Sequence, residues 1–187
     1  PDVRPLQWHG FTPEIRYTYR LATGSAESVR ASMRQNARRA LPETPPLLSP
    51  ASPETLAASV TASYARHERR GPLSEPALAR VAHACLDAGI AEAVSVGDQA
   101  ALVATHGGVA YDLLVGGAPG EDRTRLVWAL AAHLHARGVH MLDLIGANTP
   151  SIAEYKRRLG AHLVPFVRAT WHRPGLARLV AAVRPLV

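Results

Sequence analysis

Lysine is almost missing from this chain. Lys156 is the only one, and the other twenty of the twenty-one basic residues are arginine. The formal net charge of +6 favours a polyanionic partner, but an arginine and alanine bias of this kind also follows from a GC-rich genome. The placement of the charges therefore weighs more than their number. Cysteine occurs once, at Cys85 in a helical pattern between Ala84 and Leu86, which excludes an internal disulfide and suits a cytosolic protein with a small buried thiol. No apolar run approaches the roughly 20 residues of a membrane helix, and the N-terminus lacks a charged-then-apolar leader. The expectation is a soluble, cytoplasmic protein. Pro1 is not a start methionine; it either follows a removed one or marks a trimmed part of something longer. No internal repeat and no nucleophile elbow are present. His133 and His135 lie two apart on a helical stretch and face different ways, so no metal site is expected.

What is present is most specific at Asp143-Leu-Ile-Gly-Ala-Asn-Thr-Pro-Ser-Ile-Ala-Glu-Tyr-Lys-Arg-Arg-Leu-Gly160. The apolar run 139–145 reads as a covered strand, Gly146 as a turn, and Asn148 or Thr149 as the cap of a helix with Pro150 near its first position. Tyr155 falls seven residues after Asn148, roughly two helical turns on. A tyrosine on a helix leaving the carboxyl end of a strand can turn its hydroxyl to the sheet edge, where open α/β sheets keep their ligands. The plainer alternative is a capped surface helix with a half-buried tyrosine.

The rest of the chain is read as one domain. Residues 1–14 form an irregular lead-in or linker, 15–172 the domain proper, and 173–187 a C-terminal amphipathic helix that docks on the body or on a partner. Residues 15–21 alternate as a strand. Ser25 caps a helix over 26–41, on which Arg30, Arg34 and Arg38 fall four apart. Like charges at that spacing weaken a helix by about 0.2 to 0.5 kcal/mol per pair, which fits an anion-facing stripe or a solvated face with Glu27 in support. A proline-rich loop over 42–53 precedes helices at 54–70 and 74–88. Three short strands, 91–96, 100–105 and 109–115, are joined by Gly97-Asp98 and Gly107-Gly108 turns as an antiparallel meander. A long helix over 121–137, the strand 139–145, the Tyr155 helix and a strand over 163–169 complete the core. Trp8 and Trp171, at the ends of that core, read as packing residues.

This order resembles the layout of the GNAT acyltransferases, and two segments are similar to the FemAB-like branch. They are Arg16-Tyr-Thr-Tyr-Arg20 with the arginine-rich helix after it, and Leu142-Asp-Leu-Ile-Gly-Ala-Asn148 continuing through Tyr155-Lys-Arg-Arg-Leu-Gly160 to Leu163-Val-Pro-Phe166. The resemblance implies an α/β (α+β) fold with a mixed, mostly antiparallel central sheet and helices on both faces. It also implies transfer of an acyl or aminoacyl group from a transfer RNA ester or a thioester to an amine, on a cell-wall precursor peptide or a small natural product. Family members contain two GNAT-like halves. This chain matches the second half, so pairing with another copy of itself or with a second GNAT-like chain is expected.

In such folds the strand after the meander splays from its neighbour, which here would free backbone N–H groups near 115–118, with Gly116 and Gly117 allowing close approach of a ligand. Tyr155, with an ordinary pKa of about 10, is the candidate proton donor to the leaving group. Asp112 and Asp143 are the carboxylates that could take the amine proton or hold the ammonium, and Asp143 is as readily structural. Tyr111, Asn148, Gly116, Gly117 and Lys156 are the candidate substrate-binding residues. The loop before the long helix, Gly116-Gly-Ala-Pro-Gly-Glu-Asp-Arg-Thr-Arg125, has its glycines early and puts Glu121 and Asp122 in the first turn. Those carboxylates complement the helix dipole and oppose a pyrophosphate there, although Arg123 and Arg125 are near. An aminoacyl-tRNA donor is therefore favoured over acetyl-CoA, with no tightly bound cofactor. The RNA phosphates would lie along Arg30, Arg34, Arg38, Arg39, Lys156, Arg157 and Arg158. The alternatives are an acetyl-CoA-dependent N-acetyltransferase and a non-catalytic half that binds RNA or a partner subunit.

Overall fold

The computed structural model describes residues 2–39, 41–66, 68, 70–71, 73–118, 120, 122–146 and 149–171. In chain order the elements are α1 (Arg4–Trp8), β1 (Phe11–Ala22), α2 (Ala26–Ser32), α3 (Gln35–Arg39), β2 (Ser49–Pro50), α4 (Pro53–Arg66) and α5 (Glu75–Asp87). There follow β3 (Ala91–Val96), β4 (Gln99–His106), β5 (Val109–Gly116), α6 (Asp122–Ala136), β6 (Met141–Asp143), α7 (Pro150–Arg158) and β7 (His162–Trp171). The strands form one seven-stranded sheet in the order β2-β3-β4-β5-β6-β1-β7. Only β5 and β6 run parallel; every other neighbouring pair is antiparallel. No helix among the described residues is long and apolar enough to cross a membrane.

Helices cover both faces. On one side α2 and α6 pack over a core that includes Leu21, Val29, Leu130 and Leu142, with Ala153 and Tyr155 of α7 against it. Trp128 is fully buried there and its indole N–H donates to the Ala26 carbonyl at 2.7 Å, so the largest core side chain keeps its polar atom satisfied. On the other side α4 and α5 pack over β3, β4 and β5 around Leu56, Val60, Leu78 and Leu102. The β meander has the expected two-residue turns, with Gly97 at φ 57° and Gly108 at φ 78°.

Four readings of the sequence are corrected. The lead-in read over 1–14 is not irregular where it is described, over 2–14: α1 occupies Arg4–Trp8 and β1 begins at Phe11. Prolines do not break these elements: Pro5 sits in the first turn of α1, where a missing N–H is harmless. Pro13 lies where β1 is paired to β7 and β6 does not reach, so no ladder bond is lost to it. The helix expected over 26–41 is broken. Met33 leaves it in an extended conformation and is buried in the core, and the Arg34 N–H turns to the Arg158 carbonyl at 2.9 Å. A side chain at Gly160 would meet the Ser32 carbonyl at 2.6 Å, so the turn between α7 and β7 is wedged into this break. The proline-rich loop holds β2, whose Pro50 is tolerated because β2 is an edge strand. The strand read over 139–145 is confined to Met141–Asp143, because Ile145 at φ 44° and Gly146 at φ 70° turn the chain out of the sheet. The C-terminal helix read over 173–187 lies outside the described residues.

Candidate active site

The site follows from how β5 and β6 part. They pair only from Val109–Tyr111 to Met141–Asp143, and beyond that β5 continues to Gly116 with no strand beside it on this edge. A bulge at Leu113, where Leu102 pairs with Leu114 and Val103 with Asp112, bends β5 at the parting. The splay expected between these strands is therefore present. Two cavities open into the gap. One of about 480 Å³ is lined by Asp112, Leu114, Ile145, Gly146, Thr149 and Lys156 among others. The second, of about 550 Å³, reaches Arg66, Gln99, Gly116, Gly117 and Ala118. Val115, Arg123 and Tyr155 line both, so these three residues mark the junction.

At that junction lies a buried polar cluster. The Arg123 guanidinium donates from Nη2 to Asp112 Oδ2, and the two side chains are 17% and 1% exposed. Asp112 Oδ1, Arg123 Nη1 and the Tyr155 hydroxyl are buried and have no hydrogen-bond partner among the described residues. An unmet buried polar atom costs about 1 to 3 kcal/mol, so three together are a cost that the fold does not need. Burial acts against the Arg123 cation, yet the Asp112 carboxylate and the Tyr155 phenol outweigh it and hold its pKa above the ordinary arginine value. Burial pushes the Tyr155 phenol up, with the Arg123 charge opposing and the Thr124 side chain near without a full hydrogen bond. Tyr155 thus stays a proton donor throughout the neutral range.

Lys156 turns the other way from its neighbours on α7. It is 8% exposed, and its ammonium donates to the carbonyls of Leu144, at 2.7 Å, Ile145 and Gly146. Burial lowers its pKa from 10.5 to about 8, with the Asp112 charge working against that shift. All three ammonium protons are spent on the chain after β6, so Lys156 holds the cleft wall and is not an outward phosphate ligand. That corrects its placement in the RNA stripe, while its lining of the 480 Å³ cavity stands.

The two carboxylates singled out in the sequence are not brought together. Tyr111 is in register with Asp143 across the parallel pair, so these two share one face and Asp112 looks to the other. Asp143 is fully engaged: Oδ1 accepts from Thr18 Oγ1 at 2.5 Å and from the Ile145 N–H at 3.0 Å, and Oδ2 accepts from Arg20 Nε at 3.0 Å. Its lone pairs fix the turn at Ile145, which favours the structural alternative. A small cavity of about 290 Å³, lined by Thr18, Arg20, Tyr111, Asp143, Ile145, Gly146 and Phe166, lies on that face.

Gly116 and Gly117 line the 550 Å³ cavity, but their missing side chains serve other neighbours. A Cβ on Gly116 would meet the α4 backbone at Ser59 at 2.2 Å, and one on Gly117, at φ 136°, would meet Gln99 at 2.3 Å. The expected row of free N–H groups is also cut short. Asp98 Oδ2 accepts from the Ala118 N–H at 3.1 Å, Gln99 donates to the Ala118 carbonyl, and Arg66 donates to the Gly117 carbonyl. At the start of α6, Asp122 occupies the first turn and pairs with Arg125 at 3.0 Å, while Arg123 points inward. Asn148 and Glu121 lie outside the described residues.

The arginine stripe is redistributed by the break after α2. Arg30 lies over the Trp128 ring at 5.8 Å and donates to the Glu43 carbonyl. Arg34, Arg38 and Arg39 are exposed, as are Arg157 and Arg158, and the Arg34–Arg158 backbone bond joins the residue before α3 to the last residue of α7. Arg157 and Arg158 both pair with Glu154. Trp8 and Trp171, expected to pack, are 75% and 50% exposed. His133 pairs with Glu92 at 3.1 Å, and no metal-binding group of three His, Cys, Asp or Glu occurs among the described residues. Sequence reasoning missed Arg123 as the partner of Asp112, and Arg20 and Thr18 as partners of Asp143. Each is a contact between distant segments, for which spacing along one element carries no signal.

No family model and no curated protein sequence matches the chain. Among solved structures, the crystal structure of FemX is similar at a TM-score of 0.71 and 11% identity, over 95% of this chain and 70% of that one. A GCN5-related N-acetyltransferase from Kribbella flavida has a TM-score of 0.51 at 16% identity, over 90% of this chain and 40% of its own. The C-terminal DUF2156 domain of a putative lysylphosphatidylglycerol synthetase from Agrobacterium fabrum has a TM-score of 0.51 at 14% identity, over 96% and 67%. At such identities the likeness is one of fold.

Proposed function

We propose that this chain, which has the GNAT-type fold in the form FemX displays, is an N-acyltransferase that forms an amide bond at the gap between β5 and β6. The observation that carries the reading is the set of three unmet polar atoms, on Asp112, Arg123 and Tyr155, where two cavities join. A site with one limb for an activated acyl donor and one for an amine needs its proton-handling groups at such a junction. The amine, neutral when it attacks, forms the C–N bond to the carbonyl carbon while the C–O or C–S bond of the donor breaks. Tyr155 gives its proton to the leaving oxygen or sulfur. The proton lost by the amine passes to the open Oδ1 of Asp112 and from there restores the phenol. Arg123 sits beside both and offsets the negative charge that passes between them.

The donor that fits best is an aminoacyl-tRNA. A coenzyme A pyrophosphate wants free N–H groups at the start of α6, and here Asp98 occupies the Ala118 N–H and Asp122 the first turn. An RNA backbone wants exposed arginines, and Arg34, Arg38, Arg39, Arg157 and Arg158 provide a patch of them. The acceptor is the amine of a small molecule or a peptide precursor. Filter binding of a mixed aminoacyl-tRNA pool, beside calorimetric titration of acetyl-CoA, tests this at two salt concentrations. The expected result is salt-sensitive binding that depends on the attached amino acid, with no heat from acetyl-CoA. Acetyl-CoA binding without preference for charged tRNA would make the chain a coenzyme A acyltransferase, and binding of RNA without any acyl transfer would make it a non-catalytic subunit.

A further inference from the structure

The face opposite the catalytic cluster carries a second feature. On this side α4 packs on β4 and β5 and α5 on β3, while the cavity of about 290 Å³ lies over β6, β1 and β5. One cross-strand row runs through it: Tyr111 is in register with Asp143, Asp143 with Arg20, and Arg20 with His162. Four polar residues from four strands thus stand side by side on one face. Arg20 is anchored in that row. Its Nε is held by Asp143, so the fork of the guanidinium is oriented, and its terminal nitrogens have no partner among the described residues. Phe166 is in register with Arg16, adds an apolar wall, and is 42% exposed. Ile145 and Gly146 line both this cavity and the 480 Å³ limb of the cleft, so the two are separated by a single turn of chain.

We propose that this cavity anchors the acceptor and that the acceptor is an amino carboxylate: an amine-bearing molecule whose carboxylate is gripped by Arg20 and whose apolar part lies between Tyr111 and Phe166. A pre-oriented guanidinium with two unspent nitrogens matches a carboxylate in bidentate fashion. The cavity is at the small end of the range for ligand sites of roughly 300 to 1,000 Å³, which suits one amino-acid-sized group and not a nucleotide. The amine end then reaches past the Ile145–Gly146 turn into the limb where Tyr155 and Asp112 act. This rests on the acyltransferase reading for its role, but the binding itself does not.

Saturation-transfer NMR on the intact chain, with no donor present, uses L-phenylalanine, 3-phenylpropionate and phenethylamine as probes. The two carboxylates are expected to bind and the amine lacking a carboxylate to bind at least about tenfold more weakly, a gap of about 1.4 kcal/mol. Arg20→Gln is expected to erase the difference. Phe166→Ala, at an exposed strand position, is expected to weaken both carboxylates about fivefold with an unchanged unfolding midpoint. Equal binding of all three probes, no binding of any, or binding that neither variant alters overturns the proposal. Carboxylate-dependent binding without acyl transfer from any donor would instead sink the acyltransferase reading and leave the anchoring cavity in place.

Discussion

Asp112 and Asp143 are both buried carboxylates on adjacent strands, each facing an arginine, yet they differ in how completely they are satisfied. Asp143 accepts three hydrogen bonds from a hydroxyl, a guanidinium and a backbone N–H. Among the described residues Asp112 has one hydrogen-bond partner, and its second oxygen, like the second Nη of that partner and the phenol beside it, is left open. One cluster is closed and builds the turn after β6. The other is held by its surroundings in an unfinished state, which is the condition of a group kept for a substrate. Burial and charge alone do not tell a structural carboxylate from a reactive one; the count of unspent lone pairs does.

The largest effect expected from breaking this comparison is in stability. Replacing Asp143 by Ala should cost about 3 to 5 kcal/mol, and the pair Asp143→Leu with Arg20→Met should recover little of it, because Thr18 and the Ile145 N–H still lose their acceptor. Asp112→Leu alone should cost a similar amount, since it strands the Arg123 cation. Asp112→Leu combined with Arg123→Met, in contrast, should return to within about 1 kcal/mol of the native chain, since no other donor depends on either. Urea unfolding of the two single and two double variants measures this. A cost in the second pair equal to the sum of its parts would end the distinction.

A smaller stability change with a large functional one is expected at Tyr155. Tyr155→Phe removes an unmet hydroxyl, so the unfolding free energy should stay level or rise by about 1 kcal/mol. Turnover should fall by about a hundredfold to ten-thousandfold. Native turnover in this variant would remove the phenol from the mechanism, and a clear loss of stability would show that the hydroxyl is a structural contact.

The smallest effect is in pH dependence. The folded chain releases the Lys156 proton near pH 8, whereas the unfolded chain holds it to about 10.5. Between those values the unfolded state binds more protons, so raising the pH favours the fold through this residue. The stability of the native chain relative to Lys156→Met should therefore increase from about pH 7 to about pH 9.5 in urea titrations. A constant gap would mean that the ammonium is not strained by its burial.

The meander, α5, α6 and α7 are legible in the sequence within a residue or two because each is a local pattern bounded by its own glycines and prolines. The break between α2 and α3 was not, since it depends on Gly160, more than a hundred residues away, admitting the Ser32 carbonyl. In the site, Tyr155 and Asp112 could be named from their elements, and the splay of β5 from β6 followed from the resemblance. The sequence offers Lys156 both as a substrate-binding residue and as one of the RNA-facing bases, and its inward turn depends on three carbonyls that only the folded chain brings together. Gly116 is expected from the sequence to admit a ligand, whereas the group that its missing side chain admits is the α4 backbone.

The position of β1 between β6 and β7 has a kinetic consequence. As the chain leaves the ribosome, β1 has no sheet neighbour until residues 141–143 and then 162–171 have followed, so both of its edges wait while β2 to β5 are made. Helices α4 and α5 and the β3–β5 meander can meanwhile condense through contacts close in sequence. Assembly of the sheet should thus proceed from its β3 side, with enclosure of β1 as the late and slow event.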